Sequence, residues 1–325
     1  MNTKLSEITS IVQSEMAEFE NMFKNRFVCD NGLLNTMLAY TCSLKGKRVR
    51  PLLIFLIAKI FGKVTDQTYR SAVIIELLHT ASLLHDDVID NSQLRRKNQT
   101  VNALFGDKAA ILCGDYLYGQ ALSAIKTQED FNLMDVFARI ALQLPLGEVE
   151  ESDVTATKDV QINSYLNVIY YKTASLISAA AECGVRTCGN KDVDYLSIAT
   201  LGQNIGMAFQ IRDDILDYDE NNSAGKGLGN DIREKKITLP FINYLQTLEG
   251  TKKEETVEFF FSDNKTQSDI ANFISEVNKS GAVEKTYKMQ KEYSDKALKE
   301  VDLMPLNDYS VNLRALVQYL TIRNQ

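Results

Sequence analysis

Three carboxylates, Asp86, Asp87 and Asp90, stand close together at the end of an apolar stretch of the chain. The stretch is long and free of proline and glycine, which predicts a buried helix rather than a strand. On a helix, Asp86 and Asp90 lie one turn apart and share a face. Such carboxylates repel each other and resist desolvation, so they favour a hard divalent cation such as Mg²⁺. Taken alone, the motif is also compatible with a solvated helix end.

A second acidic cluster repeats this pattern later in the chain. Asp213, Asp214 and Asp217 again follow an apolar helical run. If the two clusters face each other across a helical bundle, they could bind several Mg²⁺ ions that bridge a diphosphate group. Two unrelated solvated helix ends are the alternative, and the repetition makes that alternative weaker.

Basic residues near the acidic clusters could supply the remaining contacts to a diphosphate. Lys172 and Thr173 place a cation and a hydroxyl inside an otherwise apolar helix, where a lysine is costly without a partner anion. Arginine suits bidentate phosphate contacts, and helix starts favour anions. The other candidates are Lys47, Arg50, Arg95, Arg96, Lys226 and Lys236. Each of these alone could be a solvated surface charge, but together with the acidic clusters they predict a pocket for two anionic substrates.

The elements that position these residues are predicted to be helices. Only 4 prolines and 16 glycines interrupt 325 residues, and apolar residues recur at helical spacing. Helices are predicted over 3–28, 31–44, 51–62, 66–91, 100–127, 129–153, 159–187, 191–219, 238–249, 252–262, 266–278, 282–301 and 306–323. The polar, glycine-rich segment after 219 is predicted to be a functional loop. The expected fold is one all-α domain over residues 1–325, a bundle of about ten or more helices around a central substrate cavity.

Composition limits the class of protein. The net charge is −7 and the basic residues are scattered, which argues against a nucleic-acid surface. The five cysteines are odd in number and form no CxxC pair, as expected of reduced thiols rather than of a disulfide framework or a zinc site. The first residues lack the apolar core of a signal peptide, and no run approaches the ~20 apolar residues of a membrane span. We therefore expect a cytoplasmic protein.

The chain resembles the trans-isoprenyl diphosphate synthases, or polyprenyl synthetases, over nearly its whole length. The matching motifs are GKRVRP (46–51), LLHDDVIDNSQLRR (83–96), CGDYL (113–117), GE (147–148), YYKTASL (170–176), FQIRDDILDYD (209–219), KGLGNDIREKKITLP (226–240) and YLTIR (319–323). Their order and spacing together are highly specific. The resemblance implies an all-α prenyltransferase, usually a homodimer, that binds isopentenyl diphosphate and an allylic prenyl diphosphate.

The resemblance also assigns residues to roles. It implies that both aspartate motifs bind Mg²⁺, about three ions per active site. It places isopentenyl diphosphate at Lys47, Arg50, His79 and Arg96. It places the allylic diphosphate at Arg95, Lys172, Thr173, Gln210, Lys226 and Lys236. In this chemistry the leaving diphosphate is neutralised by metal and cations, and the double bond of isopentenyl diphosphate attacks the allylic cation.

Three positions depart from the family pattern. The family commonly has proline at the position of Gly227, glycine at that of Lys235 and glutamine at that of Glu151. These departures bear on loop closure and rate, while the metal and cation positions are intact.

Small residues before the first aspartate motif predict a long product, because the growing prenyl chain must pass them. Ala81 and Ser82 stand where short-chain members usually carry a bulky aromatic residue, and Leu78 lies one turn deeper. The expected products are therefore in the octaprenyl-like range that supplies quinone side chains. Alternatively, Tyr116 or Tyr118 closes the tunnel that holds the growing prenyl chain sooner, and the product is farnesyl or geranylgeranyl diphosphate.

Other classes of protein remain as alternatives. A terpene cyclase shares the helical bundle but should lack both the second aspartate motif and GKRVRP. A non-catalytic subunit of a heteromeric synthase should lose one acidic cluster, and this chain keeps both. A helical interaction protein would show no Mg²⁺-dependent turnover.

Overall fold

The chain folds mainly into α-helices, and the computed structural model describes residues 4–44, 46–95, 97–219 and 228–321. The helices are α1 (Leu5–Ser10), α2 (Gln13–Lys24), α3 (Gly32–Ser43), α4 (Val49–Phe61), α5 (Asp66–Ile89), α6 (Val101–Phe105), α7 (Asp107–Ser123), α8 (Gln128–Phe131), α9 (Met134–Thr157), α10 (Ile162–Ile169), α11 (Ser175–Arg186), α12 (Tyr195–Leu216), α13 (Asn230–Arg233), α14 (Leu239–Leu245), α15 (Gly250–Phe261), α16 (Gln267–Lys279), α17 (Ala282–Asp302) and α18 (Asp308–Thr321). A π-helical turn, Tyr170–Ala174, joins α10 to α11. Two short antiparallel strands, β1 (Leu94–Arg95) and β2 (Asn98–Gln99), form a ribbon after α5. The predicted all-α class is confirmed.

Two long buried helices carry the acidic clusters. Helix α5 begins after Thr65, whose hydroxyl accepts a hydrogen bond from the backbone of Thr68, and it packs mainly against α7, α4 and α11. Helix α12 packs mainly against α11 and α17. Asp90 follows the last residue of α5 and Asp217 follows the last residue of α12. Because both helices are buried along much of their length, both acidic clusters are held by the core.

The core consists of two apolar clusters. One is built around α4, α5 and α11, with α2, α7 and α9 packed on it. The other gathers side chains of α10, α14 and α16 around the C-terminal half of α12. The second aspartate motif therefore lies on the helix that takes part in both clusters.

Several predicted helices are interrupted. The predicted helix 3–28 breaks between α1 and α2, and 100–127 breaks at Gly106, whose φ of 86° a residue with a side chain rarely adopts. The prediction of one helix over 129–153 is also wrong, because α8 ends before α9 begins. The predicted 159–187 helix contains the π-helical turn. The segment 220–227 of the predicted functional loop lies outside the described residues.

The described helices include none that is both long and apolar enough to cross a membrane. All five cysteines are free thiols, as expected.

A buried ionic network supports the segment GKRVRP, which leads into α4. Arg48 adopts a left-handed backbone conformation with φ of 50°, which is unfavourable for a residue with a side chain. Its guanidinium binds Glu20 at 2.8 Å and Glu76 at 2.9 Å, and it lies over the ring of Phe23. Glu76 lies on α5, so this network ties the segment to the central helix.

The pKa of Glu76 is lowered from 4.5 to about 2. Burial by itself raises the pKa, but it is outweighed by neighbouring His79 and by the guanidinium groups of Arg48 and Arg50. Since the folded-state pKa is depressed, this carboxylate stabilises the fold above pH 4.5, and that contribution is lost as the pH falls towards 2.

We expect Glu76→Gln to lower the free energy of unfolding at pH 7 by about 3 kcal/mol, because it leaves a buried guanidinium without its main counter-charge. The difference from wild type should be constant above about pH 5 and should shrink below pH 4.5. Urea unfolding between pH 7 and pH 3.5 measures it. Glu18→Gln, on the exposed face of α2, is the control and should change little. A difference that stays the same down to pH 3.5 would contradict the assignment.

Candidate active site

Contacts between distant segments bring the two acidic clusters and the predicted cations together. Lys236, which follows α13, lies 3.5 Å from Asp90 at the end of α5 and 3.0 Å from Glu234. Burial, and then Asp214 and Asp217, raise the pKa of Asp231, while Lys236 lowers the pKa of the same carboxyl, so Lys236 also lies near the second cluster. The amino group of Lys236 therefore connects the first cluster to the region of the second.

In the first cluster, Asp87 has a cationic neighbour, whereas Asp86 lies beside another carboxylate. Asp87 is buried, and it accepts a hydrogen bond of 2.8 Å from Nε of Arg95 in β1. The pKa of Asp86 rises to about 8, first because of burial and then because of the neighbouring carboxylate of Glu148 on α9. Negative charge is thus crowded at the end of α5.

In the second cluster, Asp214 is fixed by neutral donors. The hydroxyl of Tyr165 donates to Asp214 at 2.6 Å, and the amide of Gln210 donates to its other oxygen at 2.9 Å. Thr173 in turn donates to the Gln210 carbonyl oxygen at 2.8 Å. The pKa of Asp214 still rises to about 7, with burial as the largest cause and Asp213 and Glu151 contributing. Tyr165, Gln210 and Thr173 therefore orient this carboxylate.

Asp217 holds the start of α13 at the end of α12. Its two carboxylate oxygens accept hydrogen bonds of 2.9 Å each from the backbone amides of Asn230 and Asp231 at the start of α13. Its backbone carbonyl accepts another from Gly229 at 3.1 Å. These bonds bring Asp231 beside the second cluster, where burial, and then Asp214 and Asp217, raise the pKa of Asp231.

Lys172 lies in the π-helical turn and forms ion pairs with two glutamates of α9. Its Nζ is 2.8 Å from Glu148 and also contacts Glu151. Single π-helical turns inside α-helices are frequent at functional sites. Two glycines allow close packing here: a Cβ at Gly147 would lie 2.7 Å from the Lys172 side chain, and one at Gly206 of α12 would lie 2.4 Å from Cα of Ala174.

The predicted site for the second diphosphate lies at the start of α4. Nη1 of Arg50 is 3.2 Å from Nδ1 of His79 on α5. Lys47 is exposed, and its amino group is 6.0 Å from the ring centre of Tyr319 on α18. His79 and Arg50 thus meet directly, and both adjoin the Arg48–Glu76 network.

The donor set fits a metal that arrives with a diphosphate better than a metal held by protein alone. In the described part of the chain, no three His, Cys, Asp or Glu side chains converge on one point as a metal cage would require. Mg²⁺ commonly uses one or two carboxylates together with water and substrate phosphates. The pKa values of Asp86 and Asp214 are raised first by burial and then by neighbouring carboxylates, and a divalent cation would stabilise the charged form of both groups. The residues present therefore fit Mg²⁺.

Two predicted site residues, Arg96 and Lys226, lie outside the described residues, as does Gly227. The other residues that the resemblance assigned to diphosphate or metal lie in or beside the two aspartate clusters, in the π-helical turn or near the start of α4. Lys235, at the position where the family commonly has glycine, has a left-handed φ of 57° and is held by Asp263 at 2.5 Å. This conformation explains why glycine suits the position.

Sequence reasoning missed four residues at this site: Glu148, Glu151, Tyr165 and Asp231 were not among the predicted site residues. Glu148 and Glu151 had a sequence signal, because one lies in the GE motif and the other is a departure from the family pattern. The contact of Tyr165 with Asp214 joins residues on different helices, so no local spacing indicates it.

The residues predicted to set product length lie on α5 below the first cluster. Ala81 and Leu78 are buried, and the hydroxyl of Ser82 donates to the backbone oxygen of His79 at 3.0 Å. Tyr118 on α7 stacks on His85 with ring centres 5.8 Å apart. The hydroxyl of Tyr116 accepts a hydrogen bond from Gln120. The small side chains that favour a long product and the ring of Tyr118 that would limit its length therefore both lie near the first cluster.

Comparison with known proteins agrees with this geometry. The family model for polyprenyl synthetases matches residues 31–277. The octaprenyl diphosphate synthase of Escherichia coli K12 is 30% identical over 93% of this chain and 93% of its own length.

Solved structures extend the likeness to the whole fold. A polyprenyl synthase from Caulobacter crescentus, crystallised with calcium and isoprenyl diphosphate, has a TM-score of 0.91 at 28% identity, covering 100% of this chain and 99% of that one. A geranylgeranyl pyrophosphate synthetase from Pyrococcus horikoshii has a TM-score of 0.91 at 25% identity, covering 99% and 100%. The chain therefore belongs to the polyprenyl synthetase family and is a prenyltransferase with the all-α isoprenoid synthase fold.

Proposed function

We propose that the protein is a Mg²⁺-dependent all-trans polyprenyl diphosphate synthase, which condenses isopentenyl diphosphate repeatedly with an allylic diphosphate to give a long-chain product. The observation that carries this proposal is the meeting of Lys236 with Asp90, close to the second aspartate cluster. Cations and carboxylates from distant segments thereby share one site, as a metal-bridged diphosphate requires. A single polyprenyl synthetase domain over residues 1–325 and a cytoplasmic location belong to the same proposal.

The allylic diphosphate binds at the cations between the clusters. Lys172, Lys236 and Arg95 contact its phosphate oxygens, together with Lys226. The metal would be held by Asp86, Asp87, Asp90, Asp213, Asp214 and Asp217. Mg²⁺ bound there supplies positive charge that stabilises the diphosphate as a leaving group. Thr173 and Gln210, joined by a hydrogen bond of 2.8 Å, direct oxygen dipoles towards the positive charge that develops on the allylic carbon.

Isopentenyl diphosphate binds at Lys47, Arg50 and His79, with Arg96 as a further contact. The Arg48–Glu76 network holds this segment against α5, so the bound double bond is kept near the allylic carbon. The allylic C–O bond breaks and a C–C bond forms to the terminal carbon of isopentenyl diphosphate. A proton then leaves to the departing pyrophosphate, and a new allylic diphosphate results.

Small residues on α5 support a long product. Ala81 is fully buried without a bulky side chain, and Ser82 is only partly buried. Similarity to an octaprenyl diphosphate synthase over 93% of the chain points the same way. The second candidate is a geranylgeranyl product, which is favoured by the position of Tyr118 beside His85 and by the similarity to a geranylgeranyl synthetase.

Exposed apolar side chains support a homodimer. Leu142, Leu146 and Val149 form a stripe at helical spacing on α9. Ile111 and Leu112 are exposed on α7. Both helices pack against α5, so a second copy covering these side chains would lie next to the helix that carries the first aspartate cluster. Several exposed apolar side chains on one helix face are typical of an interface.

Purified protein supplied with Mg²⁺, labelled isopentenyl diphosphate and farnesyl diphosphate should yield long all-trans polyprenyl diphosphates. Reversed-phase chromatography of the dephosphorylated products measures their length, and omission of Mg²⁺ is the control. Absence of turnover with every allylic primer would contradict the enzyme assignment. A dominant geranylgeranyl product would instead support the second candidate.

Ser82→Phe should shorten the product, because an aromatic ring would fill the space below the first aspartate cluster. Leu83→Phe is the matched control, since the next residue points about 100° away around the helix. Chromatography of the products from both variants shows which face of α5 contacts the growing chain. If Ser82→Phe leaves the product length unchanged, the floor of the tunnel lies elsewhere.

Light scattering of the purified 36.6 kDa chain should give twice that mass. Leu142→Glu should shift it towards the monomer, because a charge would be buried in an apolar interface. Leu306→Glu, at a side chain that is 91% exposed outside this face, should leave the mass unchanged. A monomeric, inactive wild-type chain would contradict the homodimer and favour a subunit of a heteromeric synthase.

A further inference from the structure

Lys172 is already neutralised before any diphosphate reaches it. Its amino group lies 2.8 Å from Glu148 and also pairs with Glu151, so one cation faces two carboxylates. The side chain of Lys172 is 21% exposed and that of Glu151 is 25% exposed. The pairs are therefore partly shielded from solvent, and their charges are screened less than those of surface pairs.

Helix geometry makes this arrangement persistent. Glu148 and Glu151 are three residues apart on α9 and so share a face. Gly147 lets that face approach the π-helical turn closely, because a Cβ there would collide with Lys172. The amino group of Lys172 is thus held between the two carboxylates by backbone packing as well as by charge.

Glu151 provides more negative charge than Lys172 requires. Glu148 alone would balance the lysine, so Glu151 leaves the group with a net negative charge. Glu151 also lies near Lys236. Burial lowers the pKa of Lys236, but neighbouring carboxylates, of which Glu151 contributes most, outweigh burial and leave the pKa raised. A diphosphate that approaches these lysines therefore meets a carboxylate that competes with it for both.

We propose that Glu151 is a positioning residue that retains Lys172 in the substrate-free enzyme and thereby weakens binding of the diphosphate group. The inference rests on the proposed function, because it assumes that the allylic diphosphate binds at Lys172. When the diphosphate enters, Lys172 exchanges the Glu151 carboxylate for a phosphate oxygen. When pyrophosphate leaves, Glu151 takes Lys172 back. Glutamine at this position keeps the size of the side chain and removes the competing charge.

The experiment measures binding of inorganic pyrophosphate to the full-length protein by calorimetry, in EDTA and again with Mg²⁺. Glu151→Gln should lower the Kd in EDTA about fivefold, because like-charge repulsion is removed from a partly buried site. The KM for the allylic substrate should fall by a similar factor, and the KM for isopentenyl diphosphate should stay the same. Glu150→Gln is the control, since this substitution removes the same charge from the neighbouring position of α9, about 100° around the helix from Glu151.

Different results would contradict the diphosphate site itself and the role of Glu151. If wild type binds no pyrophosphate under either condition, the diphosphate site itself is wrong. If wild type binds pyrophosphate but Glu151→Gln has an unchanged Kd in EDTA, only the role of Glu151 is wrong. Weaker binding by Glu151→Gln with Mg²⁺ present would also overturn the inference, because Glu151 would then act as a metal ligand. Equal shifts in Glu151→Gln and Glu150→Gln would reduce the effect to net charge, which contradicts positioning.

Discussion

Burial of closely spaced carboxylates is the constraint on which the structure of this site depends. Asp86 and Asp214 both have raised pKa values because burial removes the water that would stabilise their charge. The fold tolerates them because each acidic cluster has hydrogen-bond donors or cations in place, such as Tyr165 for Asp214 and Arg95 for Asp87. A rigid core then keeps the carboxylates from moving apart. Charge that is unfavourable in the free protein becomes useful when a cation and a diphosphate arrive together.

The chemistry of the site could be predicted from the sequence because its residues occur in short motifs. Asp86 and Asp90 share a helix face through spacing alone, and GKRVRP places Arg50 at a helix start without knowledge of the fold. The all-α class also followed from local information, since scarce proline and glycine and helical spacing of apolar residues act within each segment. Likeness to polyprenyl synthetases over most of the chain confirmed the family.

What could not be predicted depends on contacts between segments. The hydrogen bonds from the amides of Asn230 and Asp231 to Asp217 hold the start of α13 at the end of α12, and no spacing rule indicates that they form. The pairing of Lys172 with two glutamates depends on the close approach of α9, which Gly147 permits. The break at Gly106 was missed because a glycine inside a helical pattern is often tolerated. Local patterns thus predict which groups are present, while packing decides which of them meet.

The π-helical turn has a consequence for how the chain can change in length. A π-helical turn accommodates one residue more than an α-helical turn does, so the segment around Lys172 carries one extra residue between α10 and α11. Deletion of one residue there would convert the wide turn to a regular α-helical turn, and because a turn of either kind completes about one rotation, α10 and α11 would face nearly the same way as before. Tyr165 would still face Asp214, but Lys172 and Thr173 would shift within the turn relative to α9 and Gln210. A change of one residue in length is therefore absorbed by the turn and alters only the lysine side of the site.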